Sequence, residues 1–194
     1  MMEHFYHNIG EDWFTFPNLY SEMVQKFKDN SHFVEIGSWM GRSASYMAVE
    51  IINSGYNIKF DCIDTWNGSS EHQEHHIIKN ESLFEEFKKN TTRVSHIITP
   101  IRLNSLSASL LYEDNSLDFI FIDASHEYED VKNDILCWKN KVKKNGIISG
   151  HDYTENWKGV KRAVNEIFGA DKIIQKEYCW IIDMEIINRP KTLI

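Results

Sequence analysis

Asp123 and His126 stand three positions apart in the run Phe121-Ile122-Asp123-Ala124-Ser125-His126, and His151 and Asp152 adjoin each other in Gly150-His151-Asp152-Tyr153. An imidazole with a reference pKa of about 6.5 exchanges its proton near neutrality, so His126 is a candidate general base. The alternative for His126 is a local cap at a helix start. Asp123 and Asp152, with His151 as a third donor, form the carboxylate-rich set that a hard divalent cation such as Mg²⁺ accepts. The alternative for Asp152 is that it caps the segment after it.

A second group of residues could hold a ligand rather than transform one. In Phe33-Val34-Glu35-Ile36-Gly37-Ser38-Trp39-Met40-Gly41-Arg42-Ser43-Ala44, a strand-like run enters a turn with two glycines and leaves as a helix. Gly37 permits a sharp turn, and Gly41 permits a ligand to approach the backbone where the helix begins. No Gly-Lys-Ser/Thr follows, which excludes a phosphate-binding P-loop. Trp39 stands where a dinucleotide fingerprint needs glycine. The cluster His72-Gln73-Glu74-His75-His76 matches neither zinc-protease helix spacing and reads as a polar loop.

These residues need elements to position them. Leu19, Tyr20, Met23, Val24 and Phe27 predict a helix over 18–28, and Ala44, Met47, Ala48 and Ile51 predict one after the glycine turn. Strands are expected at His32 to Ile36, Lys59 to Asp64, His96 to Ile98, Leu117 to Ile122 and Gly146 to Ser149. Tyr128, Val131, Ile135 and Trp138 stripe one helix, and Val160, Val164, Ile167 and Phe168 another. Two closing strands, Lys172 to Lys176 and Cys179 to Met184, are close enough to pair antiparallel. The expectation is therefore an α/β fold: a doubly wound, Rossmann-like, seven-stranded sheet, mostly parallel with a C-terminal antiparallel hairpin. In such sheets ligands bind outside the carboxyl ends of the strands, where Gly37, Asp64, Asp123 and Asp152 all fall.

One segment exceeds what a crossover needs, Thr65 to Arg93. Ser82 and Glu85 predict a capping box, with Leu83, Phe84 and Phe87 on the helix it starts, while Trp66 to Lys79 reads as a loop at the site mouth. Residues 1–30 form an N-terminal helical segment and lid candidate, in which Trp13 and Phe14 either close over a substrate or pack the helix. Lys139 to Lys144 reads as a solvated helix end. The whole chain, 1–194, is expected to be one domain.

Taken together, the glycine turn and the strand-end acids resemble the first motif of class I S-adenosylmethionine-dependent methyltransferases, in the E-x-G-x-x-x-G-x-S form of catechol-type O-methyltransferases. The resemblance runs from about Phe33 to Met184. It is closest to a small bacterial and phage family, the methyltransferase family 24 type, which carries an H-D-Y segment followed by Gly-Val, here Gly159-Val160. It implies that Glu35, Gly37, Ser38, Trp39, Gly41 and Ser43 frame the cofactor. Asp64 would meet its ribose and Asn104, Ser105 and Leu106 its adenine, with Thr65, Trp66 and Asp123 among the further cofactor contacts and Asp123 also a catalytic candidate. It implies too that Asp123 and Asp152 ligate a metal, although Tyr153 replaces the usual Asn or Asp, and that His126 is the base.

Bulk properties bound the reading. Asp plus Glu number 29 against 21 Lys plus Arg, a net charge of −8, which disfavours nucleic acid or an anionic membrane as partner. Cys62, Cys137 and Cys179 are scattered, as expected of reduced core thiols rather than a disulfide framework. The first residues carry no basic flank before an apolar stretch, so no signal peptide and a cytoplasmic location are expected. The sequence reading is an S-adenosylmethionine-dependent methyltransferase, acting on oxygen of a sugar or other hydroxylated small molecule, with His126 as base and a divalent cation such as Mg²⁺ as an assisting cofactor. Its rivals are a nicotinamide-dependent oxidoreductase and a non-catalytic S-adenosylmethionine-binding domain. A homodimer is compatible with it and is required by no residue.

Overall fold

Helices and strands alternate along most of the chain, and their apolar faces explain why. A computed structural model describes residues 1–187. Helix α1 (Pro17–Phe27) starts with proline in its first turn, where the missing N–H costs nothing, and buries Leu19, Tyr20, Met23 and Val24. Strand β1 (Ser31–Ile36), helix α2 (Arg42–Ser54) and strand β2 (Ile58–Asp64) follow. The insertion holds a 3₁₀ turn (Ser70–His72), a short α3 (His76–Lys79) and α4 (Leu83–Thr91), which runs into a second 3₁₀ turn (Thr92–Val94). After it come β3 (Ile98–Arg102), α5 (Ser105–Ser109), β4 (Leu117–Ile122), α6 (Tyr128–Trp138), β5 (Val142–Gly150) and α7 (Lys158–Phe168). Strands β6 (Ile174–Lys176) and β7 (Cys179–Asp183) and a last turn, α8 (Met184–Ile187), complete the described residues.

The seven strands form one sheet in the order β3-β2-β1-β4-β5-β7-β6. All pairings from β3 to β5 are parallel, and β7 runs antiparallel to both β5 and β6. The expected doubly wound sheet with a closing hairpin is the observed one. Period-two alternation splits the core between its faces: Phe119 and Phe121 join α1, α2 and α4, whereas Ile120 and Ile122 join α6 and α7. Each such fully buried side chain contributes about 1.5–3 kcal/mol relative to exposure.

Four local expectations change. The third strand is Ile98–Arg102 rather than His96 to Ile98; it lies at the sheet edge, where Pro100 is tolerated because a missing ladder donor costs least there. The capping box does not form: Ser82 makes no cap bond and its hydroxyl instead donates back to the carbonyl of Ile77 at 3.4 Å. Part of Trp66 to Lys79 is ordered in short turns, and Trp66 itself is buried against Phe84 and Phe87. Lys139 to Lys144 is not a helix end throughout, since β5 starts at Val142 and Lys143 reaches Asp118 at 2.8 Å.

Cys62 and Cys179 are buried and Cys137 half-buried, all as free thiols. No helix among the described residues is long and apolar enough to cross a membrane.

Candidate active site

The strand order reverses between β1 and β4, and the cavity opens there, at the carboxyl ends of the strands. It has a volume of about 810 Å³. Its floor is the turn after β1. Gly37 has φ +88°, and a Cβ there would lie 2.0 Å from the carbonyl oxygen of Asp123, so only glycine lets the two central strands approach. At Gly41 (φ +87°) a Cβ would meet Thr91 at 2.7 Å. The space left by that missing side chain is taken by α4, not by a ligand, and Gly41 does not line the cavity.

Asp64 fixes the shape of the turn. Its Oδ2 accepts the backbone N–H groups of Ser38 and Trp39, each at 2.9 Å, and its Oδ1 accepts that of Trp66 at 2.7 Å. Burial raises its pKa, and these bonds to the charged form hold it back. Asp64, Thr65, Ser38, Trp39 and Ser43 all line the cavity. Glu35 does not. It lies below the turn, 1% exposed, with Oε2 accepting from the Tyr20 hydroxyl at 2.7 Å, and burial raises its pKa to about 7.

Three further expected cofactor contacts fall outside the cavity lining. Trp66 is a core residue whose indole N–H donates to the Trp39 carbonyl at 3.0 Å. Asn104 caps α5 by accepting from the Ser107 N–H at 2.9 Å. Leu106 points outward on that helix, half exposed. Of Asn104, Ser105 and Leu106 only Ser105 lines the cavity, beside Leu103, which a motif reading passes over because its signal is merely apolar.

The opposite wall carries the titratable groups. The Asp123 N–H donates to the Ile36 carbonyl at 2.8 Å, and the His151 N–H to that of Ile122 at 3.1 Å. These bonds aim Asp123, His151 and Asp152 into one corner, Asp152 in a left-handed conformation at φ 60°. The His126 Nε2 lies 2.8 Å from Asp152 Oδ2 and its Nδ1 2.9 Å from Glu71 Oε2. Its ring stacks on Trp157 with centroids 3.9 Å apart. Burial disfavours the imidazolium, but the two carboxylates outweigh it and raise the His126 pKa to about 9. Burial likewise opposes ionisation of Asp152, yet bonds from His126 and His151 hold its carboxyl well below the usual range. Asp123, with no hydrogen bond to its carboxylate among the described residues, is pushed up to about 6 by burial, against the attraction of His151.

His151 lies beside both carboxylates but outside the donor set that converges. Its Nε2 is 2.9 Å from the Thr15 hydroxyl, and its Nδ1 is 3.2 Å from Asp152 and 3.7 Å from Asp123. The donor set that converges is Asp123, His126 and Asp152, whose ligand atoms lie within 4.8 Å of one another.

Sequence reading passed over Glu11, Phe16 and Glu71 among the residues that close the site. Glu71 comes from the histidine-rich insertion, and Glu11 links the other elements, accepting from the Trp39 indole at 3.0 Å and lying 2.9 Å from His75 Nε2. Trp13 stacks on His72 at 5.6 Å and lines the cavity with Phe14 and Phe16. Trp13 and Phe14 were expected either to close over a substrate or to pack the helix, and they line the cavity; for Glu71 the only signal was the His/Glu density of residues 71–76.

A parallel sheet reversed at β1 and β4, a glycine turn pinned by an acid at the end of β2, and an acid–histidine wall opposite define the class I methyltransferase fold. Residues 34–153 match the family model of a methyltransferase domain, and the chain belongs to that family. An uncharacterized protein of Acanthamoeba polyphaga mimivirus is 32% identical over 143 residues, which is 72% of this chain and 60% of that one. An uncharacterized protein of Sinorhizobium fredii is 24% identical over 119 residues, and the match spans only 13% of its length. Among solved structures, the O-methyltransferase NovP superposes with a TM-score of 0.63 at 16% identity, over 86% of this chain and 77% of its own. CalS11, a TDP-rhamnose 3'-O-methyltransferase of calicheamicin biosynthesis, gives 0.60 at 13% identity, over 86% and 76%. TomG of Streptomyces achromogenes, solved with S-adenosylmethionine, gives 0.60 at 12%, over 86% and 78%. At these identities the likeness is one of fold.

Proposed function

We propose that the protein transfers the methyl group of S-adenosylmethionine to an oxygen of a hydroxylated small molecule, of which a sugar is the leading class. One observation carries this reading: the glycine turn with Asp64 and the Asp123–His126–Asp152 corner face each other across a single cavity. A cofactor seated on the turn would present its sulfonium toward the corner, where an acceptor hydroxyl must lose a proton. Trp13, Phe14, Phe16 and Trp157 supply apolar walls of the kind on which sugar rings stack while carboxylates take their hydroxyls.

His126 is the base in this reading. Its Nε2 must leave Asp152 for the acceptor hydroxyl, and Glu71 at Nδ1 stabilises the imidazolium that results. The cavity's acids also favour the cationic cofactor electrostatically.

The corner fits a divalent cation as well. Asp123 and Asp152 supply hard oxygen donors and His126 the third, in place of the expected His151. Such a cation would acidify the acceptor hydroxyl. His126 then serves as base only while its Nε2 stays off the metal. Calorimetric titration of the protein with S-adenosylhomocysteine and with NAD, followed by a methyl-transfer assay over hydroxylated acceptors, tests the reading. Binding of NAD in preference to S-adenosylhomocysteine would favour the oxidoreductase rival, and tight binding without any turnover the non-catalytic one.

A further inference from the structure

A second, smaller pocket of about 370 Å³ adjoins the first, and the two share His126, Asn156 and Trp157 as a common wall. Their charges differ. The large cavity is lined by Glu11, Asp12, Asp64, Glu71, Asp123 and Asp152, and its one arginine, Arg42, is already committed to Asp12 and to the carbonyls of Ile9 and Glu11. The small pocket presents Lys158 and Arg162, with Glu127 the single carboxylate. Neither cation makes an ion pair within 4.0 Å among the described residues. Glu166, one turn beyond Arg162, is engaged by Lys132 at 2.6 Å and by the Tyr128 hydroxyl.

Arg162 is also held in place. Its guanidinium carbon lies 3.9 Å from the centroid of the Tyr128 ring. Stacking uses the flat face of a guanidinium and leaves its in-plane N–H groups free, the fork that matches a phosphate or carboxylate. Tyr128 is occupied by this stack and Lys132, so the arginine is oriented before any ligand arrives.

We infer that the small pocket is a subsite for an oxyanion carried by the acceptor, a phosphate-class group bound by Lys158 and Arg162 while the reacting hydroxyl lies across Trp157 at His126. Carboxylates dominate the lining of the large cavity and two cations that of the small pocket, so the same pair of residues favours one end of such an acceptor over the other. The inference rests on the methyltransferase reading for the word acceptor, but the subsite stands on its own residues.

The test uses the full chain and follows the Trp157 indole resonance, assigned with Trp157→Phe, at constant ionic strength. Inorganic phosphate is titrated first, then glucose 6-phosphate against glucose. Phosphate should shift Trp157, and the phosphorylated sugar should bind at least five-fold more tightly than both glucose and phosphate. The Lys158→Gln/Arg162→Gln double variant should lose that gain, and Arg162→Lys, which keeps the charge without the fork, should retain part of it. A gain that persists in the double variant, or no gain at all, overturns the subsite. Phosphate binding without extra affinity for the phosphorylated sugar marks a free-ion site and overturns the acceptor assignment. S-adenosylhomocysteine is titrated separately, so a failure of the methyltransferase reading shows there and not in the oxyanion comparison.

Discussion

Gly37 and Asp123 meet backbone to backbone: a Cβ on the glycine would sit 2.0 Å from the aspartate's carbonyl oxygen. The floor of the cavity and its acid–histidine wall are thus one contact. Gly37→Ala must push β1 and β4 apart at the site, and overpacking of this kind typically costs about 1–3 kcal/mol before the strain of a positive φ is added. Denaturant unfolding should record a loss of at least that size. A variant of wild-type stability would show that the strands separate freely.

Asp64 fixes the shape of the turn on which the proposed cofactor would sit. Its carboxylate holds three backbone N–H groups, so Asp64→Ala should lower the melting temperature and weaken S-adenosylhomocysteine binding by about 1.5–3 kcal/mol, the worth of charge-assisted bonds. Asp64→Asn keeps an acceptor oxygen and should lose less. Calorimetry that finds binding undiminished in Asp64→Ala would remove this residue from the site.

The pH dependence follows from His126. With its pKa raised to about 9 in the folded free protein, it is an imidazolium at neutral pH, and kcat/KM should climb as pH rises toward that value. Asp152→Asn removes one of the two carboxylates and should move this limb to lower pH. His126→Ala should cut turnover by roughly 10²–10⁴ while binding cofactor normally. Stability moves the other way. A histidine whose folded pKa exceeds its unfolded 6.5 stabilises fully below about 6.5 and loses that contribution as pH rises through about 9. Thermal melts of wild type and His126→Gln should therefore converge toward pH 9; parallel curves across that window would contradict the pairing of His126 with Asp152 and Glu71.

For the cation, the expectation is a rise in melting temperature with Mn²⁺ or Mg²⁺ that Asp123→Asn and Asp152→Asn abolish, since a ligand at a hundred times its Kd stabilises by about 2.7 kcal/mol. Turnover should fall in chelator and recover with the metal. Melts indifferent to both ions, with full turnover in chelator, would leave His126 as the sole means of deprotonation.

The sheet was legible in the sequence because buried strands need β-rich runs and amphipathic helices need periodic stripes, whatever their neighbours. The third strand was misplaced because Pro100 disguises an edge strand, where proline is tolerated. At the site, residues tied to strand ends could be located from strand position alone, as Asp64, Asp123 and Asp152 were. Glu35, Trp66 and Asn104 occupy positions that the resemblance assigns to the cofactor but spend their polar groups on protein partners, a distinction that depends on side-chain direction. Glu71 reaches His126 across 55 positions of irregular chain, and no local pattern encodes such a meeting.

The reversal of strand order between β1 and β4 also sets a timetable for the growing chain. His32 on β1 donates its N–H to Asp118 on β4, 86 positions later. The glycine turn, Asp64 and the first three strands can emerge from a ribosome and pair locally, but the central strand then has one open edge until β4 is synthesised. The wall with Asp123 and Asp152 arrives later still. A chain that stops before Leu117 would leave the β1 edge of a three-stranded platform unpaired, and the contacts that close that edge are long-range and slow to form. A ribosome-bound fragment ending before Leu117 should be the form that chaperones hold.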